Sequence, residues 1–341
     1  MQHCSILLTG GGTGGHLAIV RSVKDELLKR GIDVYYIGSL SGQDISWFEK
    51  DDDFKDKLFL PTKGVVNQKG LDRFSSLLQI LKSMLLAKDF IKTNDIKAVV
   101  SVGGFSAAPA SFAAILTKTP LFIHEQNAVS GRLNKILKPF AKHFFSSYGD
   151  DRVDYPVSEE FFKTARVRSE IKNIIFLGGS QGAKAINDFA LQVARELQKR
   201  GIGIIHQTGK IDYDRVSATY KKLNIDADVF SFDKEICQRI AKADLAVSRA
   251  GASTLWELTA AQIPTLFVPY PYAAGDHQYY NASHHVSMNA GWVVQQNMLK
   301  PETFLGILNA DIEIVSIKLG SMISQDGACK IVNSIIDLLE H

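Results

Sequence analysis

The sequence has few of the features that mark secreted, membrane-spanning or nucleic-acid-binding proteins. Its three cysteines are an odd number without metal-like spacing, which argues against a disulfide framework and indicates a reducing compartment. The net charge is only +3, with both signs mixed, so no nucleic-acid binding is expected. No run reaches the roughly 18 uninterrupted apolar residues that cross a bilayer, and no signal-peptide pattern follows Met1. We therefore expect a cytoplasmic protein that at most lies on a membrane surface.

Short apolar runs alternate with amphipathic helical patterns along all 341 residues. Ile6–Thr9 and Ile174–Leu177 are two such runs, and a helical pattern follows each of them. Buried strands separated by helices predict parallel sheets that are covered on both faces. The fold class expected is therefore α/β, with a Rossmann-like parallel sheet in each half of the chain.

A length of 341 residues is typical of a chain with about two domains. Residues 150–168 lack a clean period and contain Pro156, so we expect the connection between the domains there. The predicted domains are residues 1–157 and 158–327, facing each other across a cleft. The last helix, residues 328–341, has a broad apolar face that could pack back on the first domain.

A glycine-rich turn stands between strand and helix in each half of the chain. The first is residues 10–15, and the second, residues 178–183, contains Ser180 and Gln181. Glycines let the backbone approach an anion, and a helix N-terminus offers free N–H groups with a partial positive charge. Both turns are therefore candidate phosphate sites, and a tight turn without a ligand is the alternative for the first.

Two nucleotide-binding motifs related to the first turn do not fit it. A P-loop needs Gly-Lys-Ser/Thr at its end, where this turn has Gly14-Gly15-His16. A dinucleotide fold needs an acid at the end of the second strand, but Ile37-Gly38-Ser39 stands there and Asp33 is at the opposite end. A nicotinamide oxidoreductase is therefore disfavoured.

Polar residues in the first half suggest general-base chemistry and hydroxyl recognition. His16 lies at the opening of the first helix, where the dipole favours a neutral imidazole, as a general base requires. His124-Glu125-Gln126-Asn127 follows an apolar strand, at the edge where open α/β sheets bind ligands. The alternatives are a histidine that hydrogen-bonds a neighbouring loop and polar residues that stabilise their own loop.

A third strand-to-helix junction, residues 248–257, lies in the second half. Its small residues Ala252, Ser253 and Thr254 suit an anion, and Glu257 lies one helical turn from Ser253, where it could hold a ribose. Helix capping with a solvated Glu257 is the alternative. Residues 276–278, with Gln278, could approach the same pocket, and no metal site is expected because partner ligands are missing.

These segments together resemble the MurG family of bacterial N-acetylglucosaminyltransferases, in order and over nearly the whole chain. The matching segments are residues 11–16, 103–105, 124–127 with Gly131, 178–183, 248–257 and 276–278 with Asn281. The resemblance implies a GT-B fold whose first domain takes the lipid-linked acceptor, lipid I, and whose second takes UDP-N-acetylglucosamine. It also implies a peripheral position on the cytoplasmic face of the inner membrane.

The resemblance implies a role for each matching residue. On the donor side, Ser180 and Gln181 would contact the diphosphate, and Ala252, Ser253 and Thr254 would contact the phosphate and the ribose. Glu257 would bind the ribose hydroxyls, and Gln278 would bind the sugar. The backbone of Asp233 would contact the uracil. In the first domain, Thr13, Gly14, Gly15 and Asn127 would line the donor-sugar side, His16 would be the candidate base, and His124 and Glu125 would face the acceptor.

The sequence departs from the family pattern at two places. Ile19 replaces a proline in the first helix, and Ser158 stands where the family commonly has a basic, phosphate-binding residue. Arg166 or Arg168 is the expected substitute for that basic residue. No cofactor is expected, because fixed N–H dipoles can stabilise the leaving diphosphate without an obligatory metal.

An anionic membrane surface is a further expected partner. Leu77, Leu78, Ile80, Leu81, Met84, Leu85 and Leu86 are more aliphatic than one buried stripe needs, and four basic residues, Arg132, Lys135, Lys138 and Lys142, recur at helical spacing. An ordinary core helix beside a solvated basic one is the alternative. For the whole protein, the alternatives are a transferase acting on a diacylglycerol-type lipid and a nucleotide-sugar sensor without turnover.

Overall fold

A computed structural model describes residues 4–62, 71–149, 152–179, 181–233 and 236–340, with the side chains of residues 71–78 excepted. The chain divides into two compact units. The first comprises Met1–Pro156 and Asp326–His341, and the second comprises Val157–Gln325. Each unit contains one six-stranded sheet with helices between its strands.

The first unit is built on six parallel strands in the spatial order β3-β2-β1-β4-β5-β6. The strands are β1 Ser5–Thr9, β2 Asp33–Ser39, β3 Asp56–Leu60, β4 Ala98–Ser101, β5 Leu121–Glu125 and β6 His143–Ser146. The helices are α1 Gly14–Lys29, α2 Asp44–Phe48, α3 Leu71–Thr93, α4 Ala108–Thr117 and α5 Arg132–Leu137. Strand order reverses between β1 and β4, which is where doubly wound sheets bind ligands.

The second unit has the same strand arrangement, read as β12-β11-β10-β7-β8-β9. Its strands are β7 Asn173–Leu177, β8 Gly203–Gln207, β9 Ala227–Phe230, β10 Leu245–Ser248, β11 Thr265–Phe267 and β12 Trp292–Val293. Its helices are α6 Glu159–Lys163, α7 Lys184–Lys199, α8 Tyr213–Leu223, α9 Ile236–Lys242, α10 Ala252–Ala260, α11 His277–Ser287, α12 Pro301–Ile307 and α13 Ile312–Gly320. The order reverses between β7 and β10.

The last helix, α14 Gly327–Glu340, returns to the first unit and packs against α1. Ile331, Val332 and Ile335 are buried on its inner face. Lys330 Nζ donates to Asp154 Oδ2 at 2.7 Å, and Gly327 lies against the backbone of Asp154, where a Cβ would be 2.5 Å from the Asp154 carbonyl oxygen. This helix therefore belongs to the first unit although it follows the second in sequence.

Both sheets are apolar on both faces because helices cover each side. In the first unit Leu7, Val99 and Ile123 are fully buried, and in the second Ile174 and Val247 are. The central strands β1, β4, β5, β7 and β10 each have three or four consecutive buried apolar residues, so their polar groups lie toward the strand ends. The chemistry of each unit is therefore expected at the carboxyl edge of its sheet, where the strand-to-helix turns lie.

Candidate active site

The glycine turn of the first unit follows β1 and leads into α1 at Gly14. Thr13 is the N-cap residue of α1, with extended backbone angles. Gly10 and Gly12 have φ values of 131° and 82°, in the region where a side chain is strained. A Cβ on Gly12 would lie 2.5 Å from the ring of Phe105, so the turn after β4 presses against the turn after β1. Only glycine fits this contact.

Both ring nitrogens of His16 lie within hydrogen-bond distance of a side chain of the first unit. Its Nδ1 lies 2.9 Å from Thr13 Oγ1, and its Nε2 lies 2.8 Å from Gln126 Nε2. The hydroxyl of buried Tyr155 donates to Gln126 Oε1 at 3.4 Å, which turns the Gln126 NH2 group toward the histidine. An amide NH2 only donates, so His16 Nε2 accepts and the proton sits on Nδ1. The lone pair that a general base would use is therefore engaged by Gln126.

His124 and Glu125 lie inside β5, which corrects the expectation that the strand ends before them. Both side chains are buried, at 1% and 2% exposure. Burial, and then the charge of His16, lower the pKa of His124 to about 3, so it is neutral at physiological pH. Among the described residues no partner bonds either ring nitrogen of His124. Its buried ring packs edge-on against Tyr155.

Glu125 organises the loop that follows its strand. Its carboxylate accepts from the backbone N–H of Asn127 at 3.0 Å, from that of Gly131 at 2.9 Å and from Asn134 Nδ2 at 2.9 Å. Gly131 is the N-cap of α5, so the carboxylate also fixes where that helix begins. Glu125 therefore positions Asn127, which is the more accessible of the two side chains.

Asp44 is a buried acid at the first turn that the sequence analysis does not identify. Its Oδ2 accepts from Gly12 N at 2.6 Å, and its Oδ1 accepts from Ser39 N at 2.9 Å and from the Tyr36 hydroxyl at 3.1 Å. The second strand itself ends at Ser39 without an acid, and Asp44 is the acid that comes nearest to that end. Asp44 reaches that point from the start of α2. It is fully buried and bonded to protein groups, so it offers nothing to a ribose.

The glycine turn of the second unit follows β7 and leads into α7, with Ala183 as N-cap. Gly179 and Gly182 have φ values of 81° and 79°, and Gly182 N donates to Gly179 O at 2.9 Å. A Cβ on Gly182 would lie 2.3 Å from the carbonyl oxygen of Thr208, in the turn after β8. Gln181 is exposed at the tip of the turn, and Ser180 lies outside the described residues.

Asn187 on α7 ties the second turn to its neighbour. Its side-chain nitrogen donates to the Thr208 carbonyl at 3.0 Å, and its oxygen lies 3.1 Å from Nε2 of buried His206. Burial lowers the pKa of His206 to about 3, so the ring is neutral and can act as donor to Asn187. The backbones after β7 and β8 are therefore held together from beneath by a buried polar network.

The third junction lies between β10 and α10, where Gly251 is the N-cap and Ala252 opens the helix. Ser253 Oγ, in the first turn of the helix, donates to Glu257 Oε1, one turn later, at 2.7 Å, so both side chains lie on the same face of α10. Thr254, next to Ser253, is partly exposed. Burial raises the pKa of Glu257, and the bond from Ser253 opposes that rise. A carboxylate held at a helix start beside a hydroxyl suits two vicinal hydroxyls of a ligand.

The remaining donor-side candidates lie on neighbouring turns of the second unit. Gln278 accepts from the backbone N–H of Tyr270 at 2.9 Å, which fixes its side chain beside the turn after β11. Asn281 donates to the Ala250 carbonyl at 3.2 Å and so links α11 to the start of α10. The carboxylate of Asp233 pairs with Arg239.

Arg166 and Arg168 cannot replace the basic residue missing at Ser158. The guanidinium of Arg168 is buried and donates to the carbonyls of Ala243, Arg166 and Ala261. Arg166 pairs with Asp244 at 2.5 Å, and Asp244 also accepts from the backbone N–H groups at the start of β7. Both arginines therefore lie at the amino edge of the sheet, opposite the glycine turn.

Comparison with known proteins matches both units. Residues 6–146 match the glycosyltransferase family 28 N-terminal domain, and residues 173–310 match the C-terminal domain of the same family. Two transferases named UDP-N-acetylglucosamine–N-acetylmuramyl-(pentapeptide) pyrophosphoryl-undecaprenol N-acetylglucosamine transferase are similar over nearly full length. The one from Wolinella succinogenes is 50% identical over 97% of this chain and 99% of its own, and the one from Nitratiruptor sp. is 52% identical over 98% and 99%.

The chain belongs to the MurG family. A crystal structure of MurG from Acinetobacter baumannii has a TM-score of 0.78 and 25% identity over 98% of this chain and 99% of that one. The fold class expected from the sequence, two Rossmann-like parallel-sheet domains of GT-B type, is confirmed.

Proposed function

We propose that this protein transfers N-acetylglucosamine from UDP-N-acetylglucosamine to the muramyl C4 hydroxyl of lipid I, forming lipid II. The reaction is a single displacement with inversion at the anomeric carbon, in which UDP leaves as the acceptor oxygen attacks. In such a displacement the protein forms no covalent bond to the sugar. Its tasks are to position two sugars and to stabilise the negative charge that grows on the leaving diphosphate.

The observation that carries the proposal is the pair of helix starts at the switch point of the second sheet. The turn before α7 and the Gly251–Ala252 start of α10 follow neighbouring strands, β7 and β10, which pair in register. Backbone N–H groups from both can face one diphosphate. Glu257 then holds the ribose hydroxyls, Gln278 the sugar, and the backbone at Asp233 the uracil. Ser180 and Gln181 line the diphosphate in this assignment.

The first unit takes the acceptor in this proposal. Thr13, the N-cap of α1, and Gly14 and Gly15, its first two residues, line the donor-sugar side, where Asn127 presents an amide positioned by Glu125. His16 is the candidate base, and it can accept the proton of the sugar hydroxyl once its Nε2 is released from Gln126. Buried His124 stays neutral at physiological pH, so it adds no positive charge of its own to the first unit.

In this proposal the protein binds an anionic membrane surface, where it reaches the lipid-linked acceptor. Leu81, Leu85 and Leu86 on α3 are about half exposed, at 51%, 50% and 52%, and Ile136 and Phe140 are each 59% exposed. Four exposed basic residues follow along α5 and the segment after it, namely Arg132, Lys135, Lys138 and Lys142. Apolar side chains with a basic rim suit insertion among anionic headgroups. The side chains of Leu77 and Leu78 lie outside the described residues.

The membrane half of the proposal has a direct test with a matched control. A fourfold Arg132/Lys135/Lys138/Lys142→Ser variant should lose most of its binding to phosphatidylglycerol vesicles, since each basic residue near the surface adds about 1 kcal/mol. The control replaces four exposed lysines of the second unit, Lys199, Lys221, Lys222 and Lys300. Equal vesicle binding by the two variants in a sedimentation assay would contradict a basic membrane face on the first unit.

The activity is tested by measuring release of UDP from UDP-N-acetylglucosamine with vesicles that contain lipid I, vesicles that contain diacylglycerol and vesicles that contain neither. Release should require vesicles that contain lipid I. Release with diacylglycerol vesicles would favour a transferase of the same architecture with a different lipid acceptor. Binding of UDP-N-acetylglucosamine without release under all three conditions would instead indicate a nucleotide-sugar sensor.

A further inference from the structure

We propose that Gln126 is a positioning residue for the transfer reaction, and that it keeps Nε2 of His16 without a proton until the acceptor hydroxyl arrives. The inference rests on the proposed function, in which His16 is the candidate base, and it deepens that function by naming the residue that selects the reactive tautomer. Gln126 lies between Glu125 and Asn127, and the family resemblance gives it no role of its own.

The side chain of Gln126 joins the end of β5 to the first turn of α1. It is buried, at 7% exposure, and its Nε2 lies 2.8 Å from Nε2 of His16, 110 residues earlier in the chain. The other ring nitrogen of His16 lies 2.9 Å from Thr13 Oγ1. A threonine hydroxyl can donate or accept, so Thr13 fits either tautomer. The tautomer of His16 is therefore decided by Gln126.

Tyr155 determines which end of the Gln126 amide faces the imidazole. Its buried hydroxyl donates to Gln126 Oε1 at 3.4 Å, so the amide oxygen is turned away from His16 and the NH2 group toward it. The NH2 group of an amide only donates. A proton on Nε2 of His16 would place two N–H groups head to head at 2.8 Å, so the proton stays on Nδ1.

The segment that contains Tyr155 is anchored by α14. Lys330 Nζ donates to Asp154 Oδ2 at 2.7 Å, and a Cβ on Gly327 would lie 2.8 Å from the Tyr155 carbonyl oxygen. The ring of Tyr155 also packs edge-on against that of His124, with the ring centroids 5.8 Å apart. The Tyr155 hydroxyl therefore has a fixed position from which it orients the amide.

A buried histidine of the second unit has the opposite arrangement. Nε2 of His206 lies 3.1 Å from Oδ1 of Asn187, whose nitrogen donates to the Thr208 carbonyl. An amide oxygen faces this ring, so the facing ring nitrogen carries the proton. His16 is partly exposed, which lets a ligand reach it, and the amide beside it presents its NH2 group. The arrangement in the first unit preserves a bare nitrogen, which is what a base needs.

The acceptor hydroxyl replaces one hydrogen-bond donor of His16 by another. In the free protein the N–H of Gln126 donates to the Nε2 lone pair. In the reaction the muramyl C4 hydroxyl takes that place, its oxygen forms the bond to the anomeric carbon, and its proton passes to Nε2 as the bond to UDP breaks. Nε2 therefore has a donor both before and after the acceptor binds, so the exchange leaves no lone pair unsatisfied.

The tautomer is measured on the full-length protein labelled with ¹⁵N-histidine. Two-bond ¹H–¹⁵N correlations separate a bare ring nitrogen from a protonated one, and the His16 signals are those that disappear in His16→Ala. At neutral pH the wild type should show a bare Nε2 and a protonated Nδ1. A protonated Nε2 in the wild type would overturn the inference, and this result does not depend on the folding of any Gln126 variant.

Gln126→Glu replaces the NH2 group by a carboxylate oxygen, which accepts from the ring. Nε2 of His16 should then carry a proton. The kcat for release of UDP with lipid I vesicles should fall about 100-fold, the range for loss of a general base, while the KM for each substrate stays within about twofold. A raised KM with unchanged kcat would make Gln126 a substrate-binding residue and would overturn the inference, as would an unchanged tautomer.

Tyr155→Phe is a second variant, which removes only the hydroxyl and keeps the ring against His124. The amide can then turn over, so both tautomers of His16 should appear and kcat should fall less, by about tenfold. Asn333→Asp is the control, because it adds the charge of Gln126→Glu at an exposed amide of the same unit and should change neither readout. A single Nδ1-protonated tautomer in Tyr155→Phe would overturn the role of the tyrosine. The expected tautomer in a wild type that releases no UDP with lipid I would instead contradict the proposed function.

Discussion

The two glycine turns show how similar sequence and identical strand order can serve opposite purposes. Each turn follows the first strand of a sheet with the same topology and leads into a 16-residue helix. In the first unit Gly12 of the turn donates to the buried carboxylate of Asp44, and His16, which is hydrogen-bonded by the Gln126 amide, lies on the helix that follows. In the second unit the turn is packed against neutral backbone. In the function proposed above, the first turn serves proton chemistry on a sugar and the second serves an anion.

The sharpest test of this division is His16→Ala. It should lower kcat about 100-fold or more, which is the range for loss of a general base, and leave the affinity for UDP unchanged because UDP binds to the other unit. Steady-state kinetics and calorimetry with UDP measure the two quantities separately. An unchanged kcat would remove His16 from the chemistry, and a parallel loss of UDP affinity would mean that the two units do not divide the work in this way.

The converse test is Gly182→Ala. Its φ of 79° strains any side chain, and its Cβ would meet the Thr208 carbonyl, so the turn must move. We expect UDP affinity to fall about 100-fold, because the N–H groups before α7 no longer point at the diphosphate.

Gly201→Ala is the control for Gly182→Ala. It has a similar φ of 70° but no atom within 4 Å of the added Cβ, so it tests backbone strain without a clash. The control should lose about 1 kcal/mol of stability and keep its UDP affinity. Equal loss of affinity in both variants would assign the effect to unfolding of the second unit and not to the geometry of the turn.

A smaller effect is expected from Glu257→Gln. The carboxylate receives Ser253 Oγ at 2.7 Å and is assigned to the ribose hydroxyls. Hydrogen bonds to a charged group contribute roughly 1.5–3 kcal/mol, so UDP should bind about 10- to 100-fold more weakly. The loss should shrink when 2′-deoxy-UDP replaces UDP, because one partner of the carboxylate is already missing. A loss of the same size for both nucleotides would place Glu257 away from the ribose.

The sequence predicts the elements whose signal is local. A turn with several glycines between an apolar strand and a helix is visible at both junctions, and so is Ser253 one helical turn before Glu257. Asp44 is not predictable in this way. It lies beyond the end of β2 and bonds Gly12, 32 residues away, without any periodic pattern. Its one local signal is an acid at the first position of a short helix.

Other differences have equally physical causes. β5 continues through His124 and Glu125 because their polar groups are buried by tertiary contacts that hydropathy does not show, namely with Tyr155 and Asn134. β12, with two residues, is too short to leave a pattern. The prediction of Arg166 or Arg168 as a phosphate ligand rests on charge alone, whereas the guanidinium of Arg168 is buried and donates to backbone carbonyls. The edge of the sheet on which a residue lies is a property of the fold.

The smallest expected effect is the loss of folding stability in acid, to which buried histidines of both units contribute. Buried His124 in the first unit, and His206 and His285 in the second, have pKa values lowered to about 3 by burial. The pKa of a histidine in an unfolded chain is about 6.5. Between these values the unfolded chain binds protons that the folded chain does not, so stability is present above about pH 6.5 and is lost as the pH falls toward 3. Each histidine contributes a slope of about 1.4 kcal/mol per pH unit.

Urea unfolding at pH 6.0 and pH 5.0 measures this slope, and His206→Gln isolates one contribution in the second unit. Glutamine can still donate to Asn187 but does not titrate, so the slope of this variant should fall by about 1.4 kcal/mol per pH unit relative to wild type. Exposed His143, replaced in the same way, is the control and should leave the slope unchanged. If His206→Gln keeps the full slope, the acid sensitivity of the second unit comes from groups other than its buried imidazoles, and the neutral network beneath its glycine turn is not what acid disrupts.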